Sequence, residues 1–160
     1  MKNLTIIRHG KSGYEIGLSD KQRKLNQRGI ENSNLIANKY LPFLPNDFKI
    51  YSSTATRAAM TAKIFAEVFK INENEMIFRD DLYTFDGNEL EKIIKAMPND
   101  ATNLLIFGHN EGITDFVNKF GDIYVDNVPT SGLVSIDFET NNWANISQGK
   151  TIKTLFASEL

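Results

Sequence analysis

The chain's only two histidines each follow a short apolar run beside a glycine. His9 stands in Arg8-His9-Gly10 after Leu4–Ile7, and His109 in Gly108-His109-Asn110 after Leu104–Phe107. Continuous apolar runs of this length read as buried strands, the second most clearly as a parallel one. Either tripeptide alone would be only a turn after a strand. Arg57 adds to the pattern. It lies in the first turn of a helix that follows the chain's second strand, Phe48–Tyr51, and the run Ser52-Ser53-Thr54 of N-cap residue types. A cation there opposes the helix dipole, and an anion shared with the dipole would explain it. Four nitrogen-bearing side chains, Arg8, His9, Arg57 and His109, thus come to one edge of one sheet. In open α/β sheets that edge binds ligands.

Two guanidiniums match a tetrahedral oxyanion through paired hydrogen bonds, so a phosphoryl group is the natural occupant. The chain has no cysteine, which excludes a thiolate nucleophile, a cysteine-built zinc site and disulfides. Two histidines leave little for a histidine-built metal site, and no cofactor is called for. Imidazole can itself carry a covalent phosphoryl intermediate. The attacking histidine must be neutral, a form that neighbouring arginines favour. The same positive charge would stabilise the equatorial oxygens during transfer.

Strand and helix signals alternate along the chain, as in a parallel sheet covered on both faces. Lys11–Lys24 reads as a loop over the sheet's carboxyl edge. Asn26 then caps a helix with Ile30, Ala37 and Leu41 on one face, stopped by Pro42 and Pro45. The helix behind Arg57 carries Ala58, Ala62, Phe65 and Phe69. Met76–Phe78 is a short strand, and Arg79–Gly87 is acidic and irregular. Leu90, Ile93, Ile94 and Met97 mark a third helix. Ile113, Phe116, Val117 and Phe120 mark a fourth, closed by Gly121. Val134, Ile136 and Phe138 alternate with Ser135, Asp137 and Glu139, which predicts a strand with one polar face. Asn141-Asn142 predicts a turn with Trp143–Ile146 as hairpin partner, and Ile152–Phe156 a further edge strand. The expected fold is an α/β three-layer sandwich: a mostly parallel central sheet with an antiparallel edge and helices on both faces.

The 160 residues, 41% apolar and 24% charged, fit a single globular domain over 1–160. A net charge of −2 gives no reason to expect nucleic acid or an acidic membrane as partner. No signal peptide is expected before Leu4, and no apolar run reaches the ~20 residues of a membrane span. A cytoplasmic protein follows as the default. The sequence gives no oligomeric state.

Ile7-Arg8-His9-Gly10, Ser52–Ala58 and Gly108-His109-Asn110 together resemble, in order and spacing, the motifs of the histidine phosphatase superfamily, whose fold is phosphoglycerate mutase-like. The resemblance implies that His9 is phosphorylated and that Arg8, Arg57 and His109 bind the phosphoryl group. Leu18-Ser19-Asp20, Arg23, Leu25–Gly29, Gly108–Gly112 and Val128-Pro129-Thr130 look like the SixA-type phosphohistidine phosphatases within it. Larger members place an acidic residue after the third strand to protonate the leaving oxygen. Here the alignment puts Thr84 there, with Asp81 and Asp86 as nearby candidates for the acid. Without an acid, an alkoxide leaves poorly. The imidazole of a phosphohistidine can already carry its proton. The implied function is hydrolysis of protein phosphohistidine through phospho-His9. The competing readings are a small-molecule phosphomonoesterase and a phosphate-binding interaction module without catalysis. Lys11 and Ser12 could touch phosphate or line the rim, and Asn110 orders the turn into the last helix at the same rim. Arg23 and Arg28 read as surface or rim residues.

Overall fold

The computed structural model describes residues 1–160. In chain order its elements are β1 (Lys2–Arg8), α1 (Gln27–Tyr40), β2 (Lys49–Ser53), α2 (Thr56–Phe69), β3 (Met76–Arg79), α3 (Gly87–Lys95), β4 (Asn103–Gly108), α4 (Gly112–Phe120), β5 (Leu133–Phe138) and β6 (Lys150–Leu155). The six strands form one sheet in the order β3-β2-β4-β1-β5-β6. The first four strands in that order are mutually parallel. β5 runs antiparallel to β1, and β6 antiparallel to β5. The expected parallel core with an antiparallel edge is therefore observed. No helix is long and apolar enough to cross a membrane.

Both faces of the sheet are apolar because alternate residues of each central strand supply different cores. Leu4 and Ile6 of β1, with Leu104 and Ile106 of β4, pack under α3 and α4 through Leu90, Ile94, Ile113 and Phe116. Ile7, Leu105 and Phe107 pack on the other face under α1 and α2, through Ile36, Tyr40, Phe65 and Phe69. Phe65 meets Phe107 edge-on at 5.0 Å between ring centres, which anchors α2 to the sheet.

Several expectations need correction. Leu41 falls outside α1 and is exposed, because Pro42 tightens the chain into a 3-10 turn. The α1 face that is buried is Gly29, Ser33, Ile36, Ala37 and Tyr40. β5 has no solvated face at its centre. Ser135 is buried, its hydroxyl shared at 3.0 Å with Thr5, which also meets the Tyr40 hydroxyl at 3.2 Å. Period-two polarity here marks a hydrogen-bonded seam under α1. Trp143–Asn145 is a short 3-10 helix, and the hairpin partner of β5 is β6. Trp143 is instead a core residue whose indole N–H donates to the Ala101 carbonyl at 2.7 Å. Ser52, Ser53 and Thr54 do not cap α2. Its N-cap is Ala55, which has no side-chain oxygen to offer.

The topology puts β2, β4 and β1 side by side, so the segments leaving their carboxyl ends meet. The start of α1 clamps the first of these. Asn26 caps α1 through the Gly29 N–H, as expected, while the Asn26 N–H donates to the Lys11 carbonyl. A Cβ on Gly29 would lie 2.2 Å from that carbonyl oxygen, and one on Gly10 2.8 Å from Ser33 Oγ. Backbone therefore packs on backbone where the chain leaves β1.

Alanine normally stabilises a helix relative to glycine by about 0.5–1 kcal/mol. Gly29→Ala is expected to do the reverse, destabilising by roughly 1–3 kcal/mol in urea unfolding, because the Lys11 backbone must yield. Gly13→Ala, where an added Cβ meets nothing within 4 Å, is the control. A Gly29→Ala protein as stable as wild type would contradict this packing.

Candidate active site

His9 leaves β1 with its backbone fixed on three sides. Its N–H donates to the Gly108 carbonyl at 3.1 Å, and its own carbonyl accepts from Ser131 N–H at 3.0 Å. The next N–H, of Gly10, donates to Thr61 Oγ1 on α2 at 2.9 Å. His9 Nδ1 then lies 2.7 Å from the Gly10 carbonyl oxygen. A carbonyl can only accept, so Nδ1 carries the proton and the neutral ring keeps its lone pair on Nε2. That Nε2 is 3.3 Å from Arg57 Nε, which donates to it.

The structure brings the four expected residues together. Arg57, in the first turn of α2, is only 2% exposed, and His109, after β4, only 1%. The two imidazole rings are 5.2 Å apart. His109 Nε2 is 2.8 Å from Ser53 Oγ at the end of β2. Ser53 Oγ also accepts from Ala55 N–H, so β2 helps orient the second histidine. Arg8 is held by a 2.9 Å hydrogen bond from Nη1 to the Val128 carbonyl. Only two buried side-chain nitrogens or oxygens lack a partner, Arg8 Nε and His109 Nδ1. Such groups are costly to leave unpaired, and both belong to this cluster.

Burial, reinforced by the positive charge of Arg57, Arg8 and Arg23, pulls His9 down to about 4 against the opposing Gly10 carbonyl. Burial, with His9 and Arg57 beside it, pulls His109 down to about 3. Both rings are neutral at pH 7. The cations here disfavour imidazolium and leave His9 as a free base, which is the form that attacks an electrophile.

Arg57 also has an anionic partner within the chain. Its Nη1 donates to the Asp20 backbone carbonyl at 2.7 Å and its Nη2 to Asp20 Oδ2 at 3.1 Å. Arg23 Nε donates to Asp20 Oδ1 at 3.1 Å, and the Tyr83 hydroxyl donates to Oδ2. These donors, the Tyr83 hydroxyl first, hold the Asp20 carboxyl down at about 2. From the sequence, Asp20 is expected only as part of the SixA-like stretch and Arg23 only as a surface or rim residue, and neither Tyr83 nor Ser53 is expected in the site. Asp20 and Arg23 lie three apart beside a short 3-10 helix, a pattern without a chemical signature of its own.

The remaining candidates fall elsewhere or at the rim. Lys11 is exposed, with its backbone engaged by α1. Ser12 Oγ accepts from Arg23 Nη1 at 2.7 Å. Asn110 orders the turn into α4, as expected: its Oδ1 accepts from Thr114 N–H and its Nδ2 donates to Asn127 Oδ1. Asp81 is paired with Arg79 at 2.5 and 3.0 Å. Asp86 caps α3 through Asn88 N–H, and the Thr84 hydroxyl donates to Glu89. The loop after β3 instead presents rings. Tyr83 and Phe85 each stand edge-on to His109 at 5.3 Å.

With both histidines depressed from their usual 6.5, the unfolded chain binds protons that the folded one refuses as pH falls from about 6.5. Stability is therefore lost in that direction, and further below pH 4 as Asp20 joins. Imidazole NMR should show two ring systems, neither titrating above pH 5. A midpoint near 6.5 for either ring would contradict the buried, cation-lined geometry.

The sequence matches the pattern of the histidine phosphatase superfamily (branch 1) over residues 4–110. No curated protein sequence matches the chain. Among solved structures, one described as a phosphohistidine phosphatase SixA from Agrobacterium tumefaciens superposes with a TM-score of 0.81 at 22% identity, covering 97% of each chain. The protein histidine phosphatase SixA complexed with tungstate gives 0.77 at 18% identity over 98% of each chain. A mycobacterial glucosyl-3-phosphoglycerate phosphatase gives 0.68 at 10% identity over 94% of this chain and 97% of its own. The sequence pattern spans all four convergent side chains, and the fold agrees over nearly the whole length: this chain belongs to the histidine phosphatase superfamily.

Proposed function

We propose that the chain is a phosphohistidine phosphatase working through a phospho-His9 intermediate. The observation that carries this reading is the hydrogen bond from His9 Nδ1 to the Gly10 carbonyl. It directs the lone pair of a neutral imidazole, at Nε2, into a cluster of Arg8, Arg57 and His109. His9 Nε2 attacks phosphorus, the bond to the leaving group breaks, and the arginines carry the charge on the equatorial oxygens. Water then attacks the phosphorus of phospho-His9, releasing inorganic phosphate and the free imidazole. His109, neutral and beside the nucleophile, binds the same oxygens. In the related SixA structure the bound species is tungstate, a tetrahedral oxyanion of the kind these side chains suit.

The leaving-group side supports this substrate class. Asp80 accepts from Thr54 and Lys21, Asp81 is paired with Arg79 and Asp86 caps α3, so no aspartate of the loop after β3 is hydrogen-bonded to His9, Arg57 or His109. A sugar alkoxide needs a proton to leave. The ring of a phosphohistidine supplies its own.

His9→Ala should lower turnover of a phosphohistidine peptide by roughly 10³-fold or more, since the nucleophile is gone. Wild type should prefer that peptide to a sugar phosphate in kcat/KM. Full activity in His9→Ala would overturn the mechanism. Preference for the sugar phosphate, lost in Asp81→Asn or Asp86→Asn, would overturn the substrate class.

A further inference from the structure

Asp20 holds an unusual position for a carboxylate beside a phosphoryl site. Three charged or hydroxyl donors fix it, Arg57 and Tyr83 on Oδ2 and Arg23 on Oδ1, yet its side chain is 51% exposed. A carboxylate offers about four acceptor positions, so one remains open, on Oδ1. The guanidinium of Arg57 lies between the two groups: its Nε faces His9 Nε2 and its Nη atoms face Asp20. A phosphoryl group on His9 Nε2 would therefore adjoin the edge of the guanidinium that faces His9, with Asp20 bonded to its opposite edge. The rings of Tyr83 and Phe85, 5.4 Å apart, both stand against His109, and the Tyr83 ring already has Arg57 at 6.0 Å and Lys21 at 5.7 Å over it. Phe85 is half exposed. The mouth therefore combines an exposed aromatic ring with a preorganised anion. That pairing suits a flat cation, because aromatic faces and a carboxylate both attract one.

We propose that Asp20, with the Phe85 ring, forms the leaving-group subsite and selects a protonated imidazole ring. The inference rests on the phosphohistidine reading and names the residues that enforce it. The open oxygen of Asp20 accepts the N–H of the phosphoimidazolium at the ring nitrogen that does not carry phosphorus. This keeps the ring protonated. When His9 Nε2 forms its bond to phosphorus, the P–N bond of the substrate breaks and its electron pair returns to the ring. The ring leaves as neutral imidazole, still carrying the proton held at Asp20. No proton need be delivered at the moment of cleavage. An alkoxide or phenolate leaving beside the same carboxylate would be repelled. Tyr83 serves Asp20. The hydrogen bond to Asp20 raises its phenol, so it stays a donor and keeps the carboxylate in place.

The test compares N-phosphoimidazole with phenyl phosphate in single-turnover reactions at saturating enzyme, for wild type and Asp20→Asn, across pH. Under saturation the pH profile reports ionisations of the complex. Wild type should release imidazole with an alkaline limb set by loss of the ring proton. In Asp20→Asn the imidazole-to-phenol rate ratio should fall about tenfold, and the alkaline limb should move down by about one pH unit. Equal losses on both substrates with an unmoved limb would overturn the proposal and reduce Asp20 to a brace for Arg57. A wild-type protein that cleaves phenyl phosphate but releases no imidazole would overturn the phosphohistidine reading itself, a failure visible before any variant is made.

Discussion

The hydrogen bond between His9 Nδ1 and the Gly10 carbonyl, 2.7 Å long, decides which nitrogen of His9 can act. A neutral imidazole has one donor and one acceptor nitrogen, and the carbonyl takes the donor. Most of the surrounding structure keeps that carbonyl in place. Thr61 on α2 holds the Gly10 N–H, Gly108 and Ser131 hold the His9 backbone, and α1 presses Gly29 onto Lys11. Three neighbouring parallel strands supply the geometry, since β1, β4 and β2 deliver His9, His109 and Ser53 to one edge. The glycines at positions 10 and 29 are packing requirements of this arrangement, because any side chain there would push backbone away from backbone.

The electrostatics run against stability and toward chemistry. Arg57 is buried at a helix start, where the dipole disfavours it, and Arg8 keeps a buried nitrogen unpaired. Burying cations costs free energy unless an anion compensates them. Asp20 does so for Arg57 from a half-exposed position, and the remaining positive field falls on two neutral histidines. A site that holds cations together in this way is organised for an oxyanion. It also becomes less stable as acid converts its neutral histidines to cations.

Much of this was legible in the sequence, for identifiable reasons. The strands before His9 and His109 are continuous apolar runs, and buried parallel strands leave little else that such runs could be. Arg57 was visible because its position opposes the helix dipole. The helices of both layers carried apolar spacing that matched their buried faces, except at Leu41, where Pro42 redirects the chain. What failed had no local signal. Ser135 looked like a solvated position because nothing nearby in sequence reveals that Thr5 and Tyr40 will cover it. Trp143 looked like a strand residue, although its indole is needed 42 residues away at Ala101. Asp20 and Tyr83 are 63 residues apart and meet only across the folded mouth, so no spacing rule could pair them. In the loop after β3 it is the acids that carry a sequence signal. Its aromatic residues are the ones that reach the site.

The proposed nucleophile is Nε2 of His9, left unprotonated because the Gly10 carbonyl accepts the Nδ1–H. Brief mixing of ¹⁵N-histidine-labelled protein with N-phosphoimidazole, alkaline quenching and ³¹P–¹⁵N correlation NMR would identify the phosphorylated nitrogen directly. The phospho-His9 mechanism predicts one acid-labile phosphoryl group, bonded to Nε2 of His9. A phosphoryl group on Nδ1, on His109 or on no histidine at all, during active turnover, would contradict it.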